Sequence, residues 1–250
     1  MTTSQALTDP ALLDTFFNRL ERRDEVGTEE RAALSELFRR EKVLSPGEEV
    51  VGDGQRPGRS TLLLSGFAAR SKLMSSGERQ ITAFHVPGDF VDLHSFLIKE
   101  MDHAVVAITA ITITEVGHED LERVTERFPH LTRLLWLMTL LDSAVHREWL
   151  VGMGRLSALA RAAHIFCEMG VRLEAVGLGR ASDYEFPITQ TDLADAMGLS
   201  AVHVNRVVQD LRSRGLLVWQ ANHVQLPDPQ QLRNLAEFDP RYLHLVKEPR

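Results

Sequence analysis

The chain has 250 residues, 44% of them hydrophobic and 25% charged, the balance of a globular protein with room for one large domain or two smaller ones. No run approaches the roughly 18 apolar residues of a membrane span, and "MTTSQALTDPALLDTFFNRLERRDE" lacks the basic region, apolar run and small-residue cleavage site of a secretory leader, so a cytoplasmic protein without membrane contact is expected. One cysteine, Cys167, excludes an intramolecular disulfide and a cluster held by four thiolates, and the net charge of −7 gives no general attraction to nucleic acid.

That charge is uneven. Residues 1–150 carry the whole excess of acid, whereas residues 151–226 hold seven basic and seven acidic side chains, which leaves room for a local basic face. In chain order, Leu12, Leu13, Phe16, Phe17 and Leu20 give residues 10–23 a helical face, and Ala33, Leu34, Leu37 and Phe38 do the same for 28–42, with Thr28 and the following carboxylates as the helix start. From Val43 to Gly117 the texture becomes β. The runs "TLLLSGFAARSKLM", "RQITAFHV" and "HAVVAITAITITEV" alternate with turn formers such as "SPGEE", "GDGQRPG", "SSGE" and "VPGD", which predicts an antiparallel sandwich or roll of about eight short strands.

Beyond Pro129, Leu131, Leu134, Leu135, Met138, Leu141, Val145, Trp149 and Met153 recur at three- and four-residue steps over six or seven turns. So long an apolar stripe needs a partner, and a twofold copy of the same helix supplies one; Leu131, Leu134, Met138, Leu141, Val145 and Trp149 are the expected pairing residues. Gly152 and Gly154 are expected to interrupt it as a hinge. Residues 155–176 form a further helix, with Cys167 as a buried packing thiol inside it, and "GLGRASDYEF" reads as a loop.

In "PITQTDLADAMGLSAVHVNRVVQDLRSRGLLVWQANHVQLPDP", Thr189 and Asp192 fit a capping pattern, Gly198 ends that helix, Ser200 caps the next and Gly215 terminates it. "LLVWQANHVQL" reads as two strands around a turn at Ala221–Asn222, and Asp228–Pro229 opens a final short helix. The order helix, turn, helix, hairpin is a winged helix-turn-helix. Over residues 201–213, Val204, Val207, Val208 and Leu211 share one stripe, while Val202, Arg206, Gln209 and Ser213 lie opposite, flanked by His203 and Asn205. A second helix with these two faces suits the major groove of double-stranded DNA. Arg206 is the expected reader of guanine, Val202 suits a thymine methyl, and Ala201 and Gln209 complete the base-facing set; Gln190, Thr191, Ser200, His203 and Asn205 are placed to meet phosphates.

A β-roll, a long helix and a winged helix-turn-helix in this order resemble the bacterial family of the cyclic-AMP receptor protein and the fumarate–nitrate reduction regulator. "ITQTDLADAMGLSAVHVNRVVQDLRSRGLL" is similar to that family's helix-turn-helix almost position by position, and "LLLSGFAARSKLMSSGERQITAFHVPGDFVDL" resembles its roll. The resemblance implies an α+β fold in three parts: a β-roll sensor-like domain with N-terminal helices over 1–128, a dimerisation helix over 129–154, and a winged helix-turn-helix domain over 155–250. It also implies a homodimeric regulator that binds an inverted repeat and meets RNA polymerase, rather than an enzyme.

The departures bear on the effector. Nucleotide-binding members carry Gly-Glu after "GDF" and Arg-Ser or Arg-Thr before the next strand, where this chain has Asp92-Leu93 and Asp102-His103. An aspartate at the phosphate position repels the ligand and Leu93 cannot accept from a ribose, so cyclic AMP is not expected in the usual mode. The N-terminal cysteine group of iron–sulfur members is absent, and the family's Glu-x-x-x-Arg stands here as Val202 to Arg206. Asp92, His94, Asp102 and His103 are candidates to line a pocket for an unidentified small-molecule effector. His85, His94, His103 and His118 leave haem or a metal open as cofactor. A competing reading is a cupin-like metal-binding protein or enzyme with a helical appendage, its metal on His85 and His94, although "HVPGDFVDLH" does not have the cupin spacing and no nucleophile–base pair is visible.

Overall fold

The structure, a computed structural model, describes residues 9–250 and divides into two compact units: residues 9–71, 84–142 and 246–250 form the first, and 72–83 with 143–245 the second. In the first, a 3₁₀ turn at Pro10–Leu13 leads into α1 (Asp14–Glu21) and α2 (Thr28–Leu37). The second helix stops at Leu37 instead of running to 42, because the chain is already paired as a strand by Glu41. Seven strands follow: β1 (Glu41–Leu44), β2 (Glu49–Val51), β3 (Arg59–Ser65), β4 (Ala68–Leu73), β5 (Arg79–His85), then a short α3 (Ser95–Ile98), β6 (Ala104–Ala107) and β7 (Ile111–Gly117).

They make two antiparallel sheets, ordered β1-β7-β3 and β2-β6-β4-β5. Strand β3 shows why the run "TLLL" is uninterrupted. Leu63 points into the core between the sheets with Val51, Ala68, Val105 and Ile113, while Leu62 and Leu64 face a second core formed with Phe16, Leu34, Phe90, Leu121 and Leu134. Alternate side chains go to opposite faces, and both faces are covered. Phe16 sits edge-on to Phe38 and Phe90 at 5.2 and 5.7 Å, fixing the N-terminal helices on the roll.

Helix α4 (His118–Arg127) precedes α5 (Pro129–Arg155), a single helix of 27 residues. It runs through Gly152 and Gly154, contrary to the expected interruption: each glycine weakens a helix by about 1 kcal/mol but removes no hydrogen bond, so neighbouring turns carry it. The expected pairing stripe also has another use. Leu131, Leu134 and Met138 are buried in the core of the first unit, and Leu141 and Val145 are buried as well. Trp149 turns inward too, its indole donating to the buried carboxylate of Glu168 at 3.0 Å. The apolar side chains that α5 leaves exposed are Trp136 and Leu140 in the first unit and Leu150, Val151 and Met153 in the second.

In the second unit, Ser157 caps α6 (Ala158–Ala175) by accepting from the amide of Ala160, and Cys167 is buried within that helix, its thiol pushed up to about 12 by burial. Gly170 allows a close approach: a Cβ there would lie 2.1 Å from the carbonyl oxygen of Ala181. The stretch read as a loop contains a strand, β8 (Asp183–Glu185). Next come α7 (Gln190–Met197), α8 (Ala201–Ser213), β9 (Val218–Gln220), β10 (His223–Gln225) and α9 (Pro229–Ala236). The small sheet is ordered β8-β10-β9, so the wing hairpin gains a third strand from 38 residues upstream, where Glu185 faces His223. Three residues without an apolar run left no periodicity to read. Ala221 takes the left-handed conformation (φ 50°) that closes the hairpin where a turn was expected.

Candidate nucleic-acid interface and ligand cluster

The helix-turn-helix is built from local hydrogen bonds that the sequence foreshadows. Thr189 Oγ1 accepts from the amide of Asp192 (3.0 Å) while Asp192 accepts from the amide of Thr189 (2.9 Å), a reciprocal cap at the start of α7. Gly198 ends that helix at φ 61°, where its Cβ-free backbone reverses the chain, and Ser200 Oγ accepts from the amide of His203 to start α8. Val204, Val207, Val208 and Leu211 are buried; Ala201, Val202, His203, Asn205, Arg206 and Gln209 are all exposed, Val202 at 64%. An exposed valine amid polar neighbours has no packing role in the chain itself. Asn205 Nδ2 donates to Gln190 Oε1 at 2.9 Å, tying the outward face of α8 to the first turn of α7, where Thr191 is also exposed.

One element of this unit was not legible in the sequence. Arg79, from the β4–β5 hairpin, donates through Nη2 to Asp192 (2.6 Å) and through Nε to Asp195 (2.8 Å), and Gln80 Nε2 donates to the carbonyl of Ala196. The hairpin therefore sets one guanidinium between the two carboxylates of α7, offsetting half of their charge. Burial lowers the affinity of Arg79 for its proton, but the two carboxylates outweigh it and the net shift is upward.

In the first unit the four candidate pocket residues separate. Asp92 is buried and turned onto β3, where its carboxylate accepts from the amide (2.5 Å) and hydroxyl (3.2 Å) of Thr61; burial raises its pKa to about 7. It is a structural carboxyl and does not join the other three. His94, Asp102 and His103 do converge, with imidazole centroids 5.0 Å apart and His103 Nδ1 donating to Asp102 Oδ1 at 2.5 Å. Burial, followed by the nearby Arg70 guanidinium, pushes both imidazoles down to about 4, so both are neutral at pH 7. His85 is not among the converging groups, its Nδ1 lying 3.5 Å from Asp89, and His118 sits between the hydroxyls of Ser60 (3.2 Å) and Ser95 (3.3 Å).

Residues 41–128 match the family model described as cyclic nucleotide-binding domain, and residues 160–235 match the Crp-like helix-turn-helix domain. The chain belongs to the Crp/Fnr family. It is similar to the nitrogen fixation regulation protein FixK of Rhizobium meliloti (29% identical, over 76% of this chain and 84% of the relative) and to the transcriptional activator protein anr of Pseudomonas aeruginosa (24%, over 83% and 85%). Among solved structures, FixK2 from Bradyrhizobium japonicum superposes with a TM-score of 0.70 at 28% identity, covering 78% of this chain and 96% of that one. A CooA mutant from Carboxydothermus hydrogenoformans shares the fold, with a TM-score of 0.62 at 18% identity over 92% of this chain and 98% of that one. As a Crp/Fnr member with a helix-turn-helix DNA-binding domain the protein is a transcription regulator, and the cupin-like alternative is not favoured. Among the described residues no helix is long and apolar enough to cross a membrane.

Proposed function

We propose that this Crp/Fnr regulator works as a cytoplasmic, non-enzymatic homodimer that places α8 of each protomer in successive major grooves of an inverted-repeat site. The observation that carries the reading is the division of α8: a buried valine and leucine stripe on one side, and on the other an exposed row of Ala201, Val202, His203, Asn205, Arg206 and Gln209. Arg206 reads guanine through its guanidinium fork, Val202 contacts a thymine methyl, and Ala201 and Gln209 meet neighbouring base edges. Gln190, Thr191, Ser200, His203 and Asn205 hold the backbone, through hydroxyl, amide and imidazole groups clustered at two helix starts.

The pairing surface is the exposed side of α5, carrying Trp136 and Leu140 and, farther along, Leu150 and Val151. Those side chains repeat at helical spacing on the side not consumed by the protomer's own cores. RNA polymerase and an unidentified small-molecule effector complete the expected partners. Cyclic AMP in the usual mode is disfavoured, because Asp92 is occupied by Thr61, Leu93 is buried and Asp102 stands where an anion would need a cation.

The test is binding to a labelled duplex carrying an inverted repeat with half-site centres about one helical turn apart, roughly 34 Å. Two protomers per duplex, with affinity falling steeply as salt rises, is the expected result. A monomer bound to single half-sites, or no preference for inverted repeats over random duplex, contradicts the reading.

A further inference from the structure

His94 and His103 are held by two segments that the fold anchors separately. His94 follows Asp92, whose carboxylate is fixed on Thr61, and Leu93, which is buried. His103 follows Met101, a buried residue whose amide donates to the carbonyl of Gln55 and whose carbonyl accepts from the amide of Gly54, both at 2.8 Å. The imidazoles are thus positioned by backbone and core, not by each other. Both Nε2 atoms are shielded from solvent and have no hydrogen-bond partner. A shielded imidazole nitrogen without a partner is unfavourable unless a ligand takes it, and here two such nitrogens occur on adjacent rings. Asp102 settles the tautomer of His103. A carboxylate only accepts, so Nδ1 carries the proton and Nε2 keeps its lone pair.

We propose that His94 and His103 are the protein ligands of a divalent transition-metal ion in the β-roll, with Asp102 as the carboxylate that orients His103 and offsets the charge. One donor atom from each of the three residues lies within 4.8 Å of the others. Bonds of about 2.1 Å need imidazole nitrogens closer than that, a contraction of side-chain scale. The chemistry selects the ion: neutral imidazole nitrogen suits zinc, cobalt, nickel or copper, whereas magnesium and calcium prefer an all-oxygen shell. Arg70, the cation that faces them, is paired with Asp142 at 2.9 Å, so its repulsion is offset within the unit. Two protein nitrogens leave coordination positions open to water or a small anionic ligand.

The experiment uses full-length protein stripped with chelator and titrated with Co²⁺, read by visible ligand-field absorption and, in competition, with Zn²⁺ by calorimetry. One Co²⁺ per chain is expected, displaced by Zn²⁺ and insensitive to millimolar Mg²⁺, with a rise in Tm. His94→Gln and His103→Gln should each lower affinity at least a hundredfold; Asp102→Asn, at an exposed position that does not threaten folding, should lower it about tenfold. His223→Gln, at an exposed wing histidine flanked by Asp183 and Glu185, serves as control and should change nothing. Absence of saturable binding, or binding that survives both histidine substitutions or depends on His223, overturns the proposal. DNA binding by the stripped protein is measured alongside, so that failure of the metal site is not confused with failure of the DNA reading.

Discussion

Glu168 is fully buried, yet it accepts from Trp149 Nε1 (3.0 Å), Tyr242 Oη (2.7 Å) and Arg172 Nη1 (3.1 Å). A buried carboxylate with that many donors is stable only as a set. Glu168→Ala leaves the donors of Trp149, Tyr242 and Arg172 without this buried acceptor, and a loss of about 3–5 kcal/mol, read by thermal unfolding, is expected. His130 illustrates a smaller effect with a defined sign. It lies 2.9 Å from Glu30 and 3.2 Å from Asp24; burial lowers its pKa, but these two acceptors outweigh burial and the net shift is upward. Asp24 moves the other way: burial raises it, and hydrogen bonds from the amide of Glu25, from His130 and from the amide of Arg250 bring it below the usual carboxylate range. Protonated His130 therefore stabilises the fold below about pH 6.5, and that contribution is lost as pH rises through its elevated folded-state value. His130→Gln should be less stable than the parent at pH 6, with the gap closing by pH 9; a gap independent of pH would show that packing, not charge, decides. At the interface, Arg206→Ala should cost 1–3 kcal/mol of specific DNA binding, about 5- to 150-fold, and much less for random duplex.

Helix α5 shows how far periodicity carries. The stripe Leu131, Leu134, Met138, Leu141, Val145 was legible in the sequence as one apolar face, but a face has no label saying what it meets. The structure spends it on the protomer's own core, and the exposed side carries Trp136, Leu140, Leu150 and Val151. An apolar residue every third or fourth position records helix and burial; only the long-range packing of α1, α2 and β3 decides which partner is used. The two faces give opposite expectations. Leu134→Ala, inside the core, should lower stability by about 2–5 kcal/mol and leave the oligomeric state at high concentration unchanged. Leu150→Asp, at a side chain 73% exposed, should leave unfolding nearly unchanged and shift the protein toward monomer in sedimentation. The reverse pattern would return pairing to the inner stripe. By contrast, α7 and α8 were readable almost to the residue, because Thr189, Asp192, Gly198 and Ser200 are caps and turns that act within four residues of chain. The three-residue strand β8 and the Arg79 bridge to Asp192 and Asp195 were not, since both depend on partners 38 to 116 residues away.

At the scale of the molecule, the net charge of −7 would mislead if taken whole, because the acidic excess lies in residues 1–150 and the helix-turn-helix region is balanced. What makes a DNA-binding surface here is arrangement, not total charge. The two carboxylates of α7 share the Arg79 guanidinium, and Arg214 is paired with Asp210 near the end of α8 (2.8 Å), which leaves Arg206 and His203 among polar and small side chains on the exposed face. On the proposed reading, specificity comes from α8 and salt dependence from its phosphate contacts. The most direct measurement is a selection of binding sites from random duplex DNA by the purified protein, followed by anisotropy titrations of the recovered site with the parent and Arg206→Ala. The structure predicts an inverted repeat bound by two protomers, with the variant losing affinity for that site far more than for random DNA. Recovery of no inverted repeat, or equal losses on both duplexes, would contradict the assignment of α8 as the helix that reads the bases.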